Sequence, residues 1–301
     1  MDLSVASMVE RAALWPLRVL WLAVPLVAGL GFDDLLDGLR YPLVAELVLW
    51  VGWFVGLVAT LAPGPISLTG LRILAPAVAA VALLGGLLSG QWSTSLLVLG
   101  GYGLVVTVVA LLAHVGDHMI NGSAYGSERR MALRPPGYAV LGPIQVAWVL
   151  VLIGLALPVI LVADARWITA AVVIAPSAVA VWLGWRVLHQ LSRRWLVFVP
   201  AGFVIHDPLQ VGESILMQRS IVESLGPAVV GDVDDNAEAD LSGGASGLAL
   251  EAVLKEPVPF SRRARNELHT AEADRIQFTP SLPGAVLREA RIRAIRITAP
   301  A

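Results

Sequence analysis

Six uninterrupted apolar runs, each about the length of a membrane-crossing helix, fill most of residues 1–188. In hydrocarbon no water can satisfy a bare backbone N–H or C=O. A spanning segment must therefore pair its own backbone as a helix, or close into a barrel. A helix needs about 20 mostly apolar residues to cross, whereas barrel strands alternate apolar and polar over about ten. The runs lie at 12–31, 42–63, 71–89, 93–115, 139–163 and 166–188, and none alternates. They predict an α-helical polytopic membrane domain of six transmembrane helices. The first reads as a span rather than a signal peptide, because Val27-Ala28-Gly29 is a poor cleavage site.

Composition narrows the function classes. Hydrophobic residues make up 57% of the chain and charged residues 15%, where a soluble domain carries about a quarter charged. The formal net charge of −2 gives no basic excess for nucleic acid. With no cysteine, disulfides, Fe–S clusters, thiolate zinc sites and a cysteine nucleophile are all excluded. Lys255 is the one lysine beside 20 arginines, which reads as the codon usage of a GC-rich bacterium.

Charge is unevenly spread. Residues 1–188 hold 9 of the 21 basic and 9 of the 23 acidic residues, and the shorter remainder holds the rest. This places a transmembrane domain at 1–190 and a charged domain at 191–301. Arginine favours the cytoplasmic side of a membrane. Arg129, Arg130 and Arg134 occupy the 116–138 loop, Arg186, Arg193 and Arg194 the exit of the sixth run, and Arg72 the 64–72 loop. The alternate loops are poor in arginine, and 32–41 carries Asp33, Asp34 and Asp37. The expected protein sits in a bacterial plasma membrane with both termini cytoplasmic. The lipid bilayer is its first partner, and those six arginines at 129, 130, 134, 186, 193 and 194 are expected to meet anionic lipid headgroups.

Within the runs, Arg18 and Glu46 lie near opposite bilayer faces, so each is expected to snorkel to its own interface. The pairs Gly52/Gly56 and Gly86/Gly90 and the cluster Gly100, Gly101, Gly103 are expected at close helix contacts. His114, Asp117 and His118 stand at i, i+3 and i+4, on one face of a helix. Two imidazoles and a carboxylate make a candidate metal site with open positions. The sequence lacks the His-Glu-x-x-His of zinc proteases, and a polar turn closing a span is the competing reading. No cofactor is implied by any motif. The loop that follows, with Asn121 to Arg130 and Arg134 to Gly137, is expected to pack against the C-terminal domain.

That domain reads as β-rich. Trp195–Val199 and Phe203–His206 flank a Pro200/Gly202 turn as a hairpin. Ser214–Val222, Leu248–Leu254 and Arg275–Phe278 are further strand candidates. Residues 232–247 form an acidic loop, 261–273 a candidate polar helix, and Pro283–Ile297 a candidate closing helix that also alternates like a strand. The expected core is Trp195, Val197, Val199, Phe203, Ile205, Ile215, Ile221, Leu250, Val253 and Phe278.

Residues 67–76, 121–130 and 193–208 resemble segments of uncharacterised actinobacterial multi-pass membrane proteins. The 195–222 pattern is similar to the opening strands of bacterial PH-like domains, which often follow membrane helices. The resemblance implies location and architecture and supplies no catalytic residue. Three functions follow in order of preference. The first is a non-enzymatic scaffold or assembly protein whose cytoplasmic domain binds lipid or another membrane or cytoplasmic protein. The second is a transporter or channel component. The third is a membrane enzyme built on His114, Asp117 and His118.

Overall fold

The computed structural model describes residues 14–36, 38–228, 239–264 and 267–298. Within them the helices are α1 (Trp15–Gly29), α2 (Phe32–Leu36), α3 (Pro42–Leu61), α4 (Pro65–Ser89), α5 (Thr94–Leu111), α6 (Ala113–Asn121), α7 (Gly137–Val140), α8 (Pro143–Ala163), α9 (Trp167–Ser192) and α10 (Pro283–Ile292). The strands are β1 (Arg129–Ala132), β2 (Trp195–Val199), β3 (Gly202–His206), β4 (Ile215–Gln218), β5 (Val222–Pro227), β6 (Leu250–Ala264) and β7 (Glu267–Phe278). The chain divides into two compact units. One combines Met1–Met119 with Gln145–Leu188, and the other combines Ile120–Ile144 with His189–Ala301.

The first unit is helical. Five of its helices, α3, α4, α5, α8 and α9, are long and apolar enough to cross a membrane. Helix α1 is apolar but only 15 residues long. Proline opens α3 and α4, where a missing N–H costs nothing. Gly90, left-handed at φ 67°, ends α4. The expected third run thus starts earlier, at Pro65, and Arg72 lies within the helix rather than in a loop. The fourth run is interrupted at Leu112, whose ψ of 139° separates α5 from α6.

Close packing follows from missing side chains. A Cβ on Gly103 of α5 would stand 2.4 Å from Ala79 N of α4. On the α8–α9 hairpin, a Cβ on Gly154 would meet Ser177 O at 2.8 Å and one on Gly184 would meet Ala147 O at 2.4 Å. The two helices therefore touch backbone to backbone at two levels, each supplying one glycine. Helices α1 and α3 are joined by polar bonds instead. Pro25 has no N–H, which leaves the Trp21 carbonyl without its intrahelical donor. The Trp53 indole donates to that carbonyl at 3.0 Å, and the Trp21 indole donates to Trp53 O at 2.8 Å. Arg18 donates through Nε (3.2 Å) and Nη2 (3.1 Å) to Thr60 O in the last turn of α3. Its charge caps carbonyls that lack helical donors. The pairs Arg18–Thr60 and Trp21–Trp53 run α1 antiparallel to α3.

The second unit holds two antiparallel sheets, β1-β2-β3-β4 and β5-β6-β7, with α10 beside them. The expected 195–206 hairpin is β2–β3, in the register Leu196↔Ile205 and Phe198↔Phe203. The core comprises Leu196, Phe198, Phe203, Ile205, Ile215 and Met217 from one sheet, Leu250, Ala252, Ile276 and Phe278 from the other, and Val286 and Ala290 of α10. Five of the expected core residues are therefore in place: Phe203, Ile205, Ile215, Leu250 and Phe278. Trp195, Val197 and Val199 instead alternate to the opposite face of β2, where Val197 is buried as well and the other two are half-buried. Of residues 261–273, expected as a polar helix, 261–264 belong to β6 and 267–273 to β7, paired from Ser261↔Thr270 to Ala264↔Glu267, while 265 and 266 lie outside the described residues. Pro283–Ile292 resolves as a helix. Of the acidic loop 232–247, residues 232–238 lie outside the described residues.

The segment before α8 joins this sheet. β1 pairs with β2 from Arg129↔Phe198 to Ala132↔Trp195, so the Arg-rich loop is an edge strand of the β-rich unit. Gly137 N donates to Gly243 O at 3.1 Å and Arg134 N to Thr279 O at 2.9 Å, extending the attachment. The expected packing of this loop on the C-terminal domain is seen bond by bond.

Candidate functional site

Polar chemistry in the helical unit gathers at α6 and the first turns of α4. His114 is exposed, His118 half-buried and Asp117 buried, so the three side chains sit in different surroundings despite their shared helix. Among the described residues no three His, Asp or Glu side chains form a group that could hold a metal ion. Between them, Gly116 faces Arg72 of α4: a Cβ there would stand 2.9 Å from Arg72 Nη2. Reading Arg72 as a loop residue hid it. The signal was Pro65, which starts the helix seven residues earlier.

A second group lies on α2 and the start of α5. Ser95 Oγ donates to Asp34 Oδ2. Hydrogen bonds from Ser95 and Ser93 hold the Asp34 carboxyl below the ordinary aspartate range. An apolar cavity of about 210 Å³ opens among α1, α3 and α4, lined by Trp21, Pro25, Trp50, Gly52, Trp53 and Val78. A dry cavity of ~150 Å³ with aliphatic and aromatic walls accepts a small hydrocarbon, so this one suits apolar matter.

In the β-rich unit the arginines expected at headgroups divide. Arg194 is corrected out of that set: it is 1% exposed and paired with Asp207. Nε reaches Oδ1 at 2.8 Å, Nη2 reaches Oδ2 at 2.5 Å, and Nη1 donates to Arg134 O. Positions 194 and 207 are the next pair beyond Trp195↔His206 in the β2–β3 register, which puts them opposite each other. Leu209 N gives Asp207 a further donor at 3.1 Å. This bidentate pair ties the start of β2 to the end of β3, and the Nη1 bond adds the end of β1.

Arg130, on the outer face of the sheet, stacks over Trp195 at 5.6 Å, and Trp195 stacks on His206 at 4.8 Å. Arg130 also donates to Ser123 Oγ (3.0 Å) and Glu128 Oε2 (3.1 Å). His206 Nδ1 lies 2.8 Å from Ser214 Oγ. Burial and the charge of Arg193 push the His206 imidazole below the ordinary histidine value. Arg134 donates to Ser246 O at 3.0 Å, and Arg129 is half-buried and engaged. Arg193 is exposed, and so is Arg186 of the helical unit, which stacks on Trp182 at 5.5 Å. Of the six arginines expected at headgroups, Arg186 and Arg193 are thus the exposed ones.

No family model, no curated protein and no solved structure matches this chain.

Proposed function

We propose that the protein is a six-span, non-enzymatic scaffold of the bacterial plasma membrane, whose β-rich unit works on the cytoplasmic side and binds anionic headgroups or a partner protein. One observation carries this reading. β1 precedes the α8–α9 hairpin and β2 follows it, yet the two strands pair in register. Strands that share a sheet must emerge on one side of a bilayer. Two crossing helices between them satisfy that, so both ends of the α8–α9 hairpin continue into strands of the β-rich unit.

Further features support the finer points. The antiparallel pairing of α1 with α3, from Arg18–Thr60 to Trp21–Trp53, supports α1 as a sixth crossing. The arginines of the 129–134 segment and of 193–194 support a cytoplasmic placement. Consecutive antiparallel strands over 195–218 support the PH-like reading. The polar clusters of the β-rich unit are spent on holding chain segments together, as Arg194–Asp207 does, which favours a binding or assembly role over catalysis. Purification in mild detergent, followed by lipid and protein identification, tests the proposal. Anionic phospholipid should be retained over zwitterionic lipid, and less should be retained by the Arg186→Gln/Arg193→Gln variant. Each cation near an anionic surface contributes about 1 kcal/mol. Equal retention by both proteins would reject headgroup binding through these residues.

A further inference from the structure

Arg72 stands seven residues past the start of α4, about 10 Å along the helix axis. Its neighbours on the same helix, Leu68, Leu71 and Ile73, are buried and apolar, as are Val115 and Met119 on α6. No hydrogen bond or ion pair from the described residues reaches the guanidinium, and Nε is sealed from solvent without a partner. Asp117, beside Gly116 on α6, is buried and already engaged. A charge held in a membrane-spanning helix is costly unless something neutralises it, and such residues commonly mark sites of function.

The surroundings favour an anion of one kind. The guanidinium offers a planar fork of donors that matches phosphate oxygens. On the α6 side the guanidinium packs against the backbone of Gly116, whose lack of a Cβ admits it: a Cβ would stand 2.9 Å from Nη2.

We propose that Arg72, framed by Gly116, binds a phosphate group, carried either by an anionic phospholipid headgroup or by a soluble phosphate compound. The site belongs to the helical unit and does not depend on the reading of the β-rich unit. The full-length protein is purified in neutral detergent, stripped of lipid and melted with short-chain phosphatidylglycerol, phosphatidylcholine of the same chains, or inorganic phosphate. A rise of several degrees in Tm with phosphatidylglycerol alone, lost in Arg72→Gln, identifies the lipid source. An Arg72-dependent rise with inorganic phosphate identifies the soluble one. No rise with either anion, or the same rise in Arg72→Gln, overturns the site. Gly116→Ala keeps the charge and improves helix propensity, so it answers the question if Arg72→Gln does not fold. Its half-saturating anion concentration should increase at least about tenfold, a loss of about 1.4 kcal/mol in binding; an unchanged value overturns the proposal.

Discussion

At residue scale, the Arg194–Asp207 pair is the clearest liability in the β-rich unit. Taking away one partner leaves the other charged and 1% exposed. Such a change costs about 3–5 kcal/mol. Asp207→Asn should therefore speed hydrogen exchange across β2 and β3, and exchange at wild-type rates would show the pair to be dispensable. His206 makes a second prediction, on pH. Its native pKa is lowered by burial and by Arg193, so the unfolded chain binds more protons in the window between that lowered value and about 6.5. The stabilisation from neutral His206 is complete above about pH 6.5 and is lost as pH falls through that window. His206→Phe keeps a ring on Trp195 and cannot titrate. Between pH 7.5 and 5 the wild-type Tm should fall further than that of His206→Phe; parallel curves would contradict this. Residue chemistry was only partly legible in the sequence. Trp-Leu-Val-Phe-Val is apolar on both faces, so its short length and the Pro200/Gly202 turn identified β2 but not its inward parity. Arg194 looked like a surface cation because its partner is 13 positions away, across a hairpin register that composition does not encode.

At the scale of elements, small residues decide the helix contacts. Gly103→Ala would drive a Cβ into the Ala79 backbone at 2.4 Å, whereas a Cβ on Gly101 meets nothing within 4 Å. Gly103→Ala should lower the stability of the helical unit by about 1–3 kcal/mol. Gly101→Ala should be neutral or slightly stabilising. Thermal melts in detergent separate the two, and equal melts would remove the α4–α5 contact from the account. Five runs became helices of spanning length because hydropathy and the internal pairing of helical backbone point the same way. The 261–273 segment misled because its polar, charged residues carry no period. The strand conformation of 261–264 and 267–273 comes from β6–β7 pairing, as in Arg262↔His269, which is tertiary information.

At the scale of the whole molecule, the β-rich unit is discontinuous. Its edge strand, Arg129–Ala132, is separated from β2 by two long apolar helices. Composition could say that 116–138 was polar and rich in arginine, but not that four of its residues complete a sheet. The pairing makes this unit report on topology, since both of its segments must share one side. Single-cysteine labelling measures that directly, because the chain has no cysteine of its own. Arg40, Gln91, Arg166, Tyr125, Arg219 and Glu256 are exposed and suit replacement one at a time. With a membrane-impermeant maleimide on intact cells, Arg40→Cys, Gln91→Cys and Arg166→Cys should label at once. Tyr125→Cys, Arg219→Cys and Glu256→Cys should label only after permeabilisation. Labelling of Tyr125→Cys and Arg219→Cys on opposite sides of the membrane, or of both from outside, would contradict a cytoplasmic β-rich unit joined to both ends of the α8–α9 hairpin.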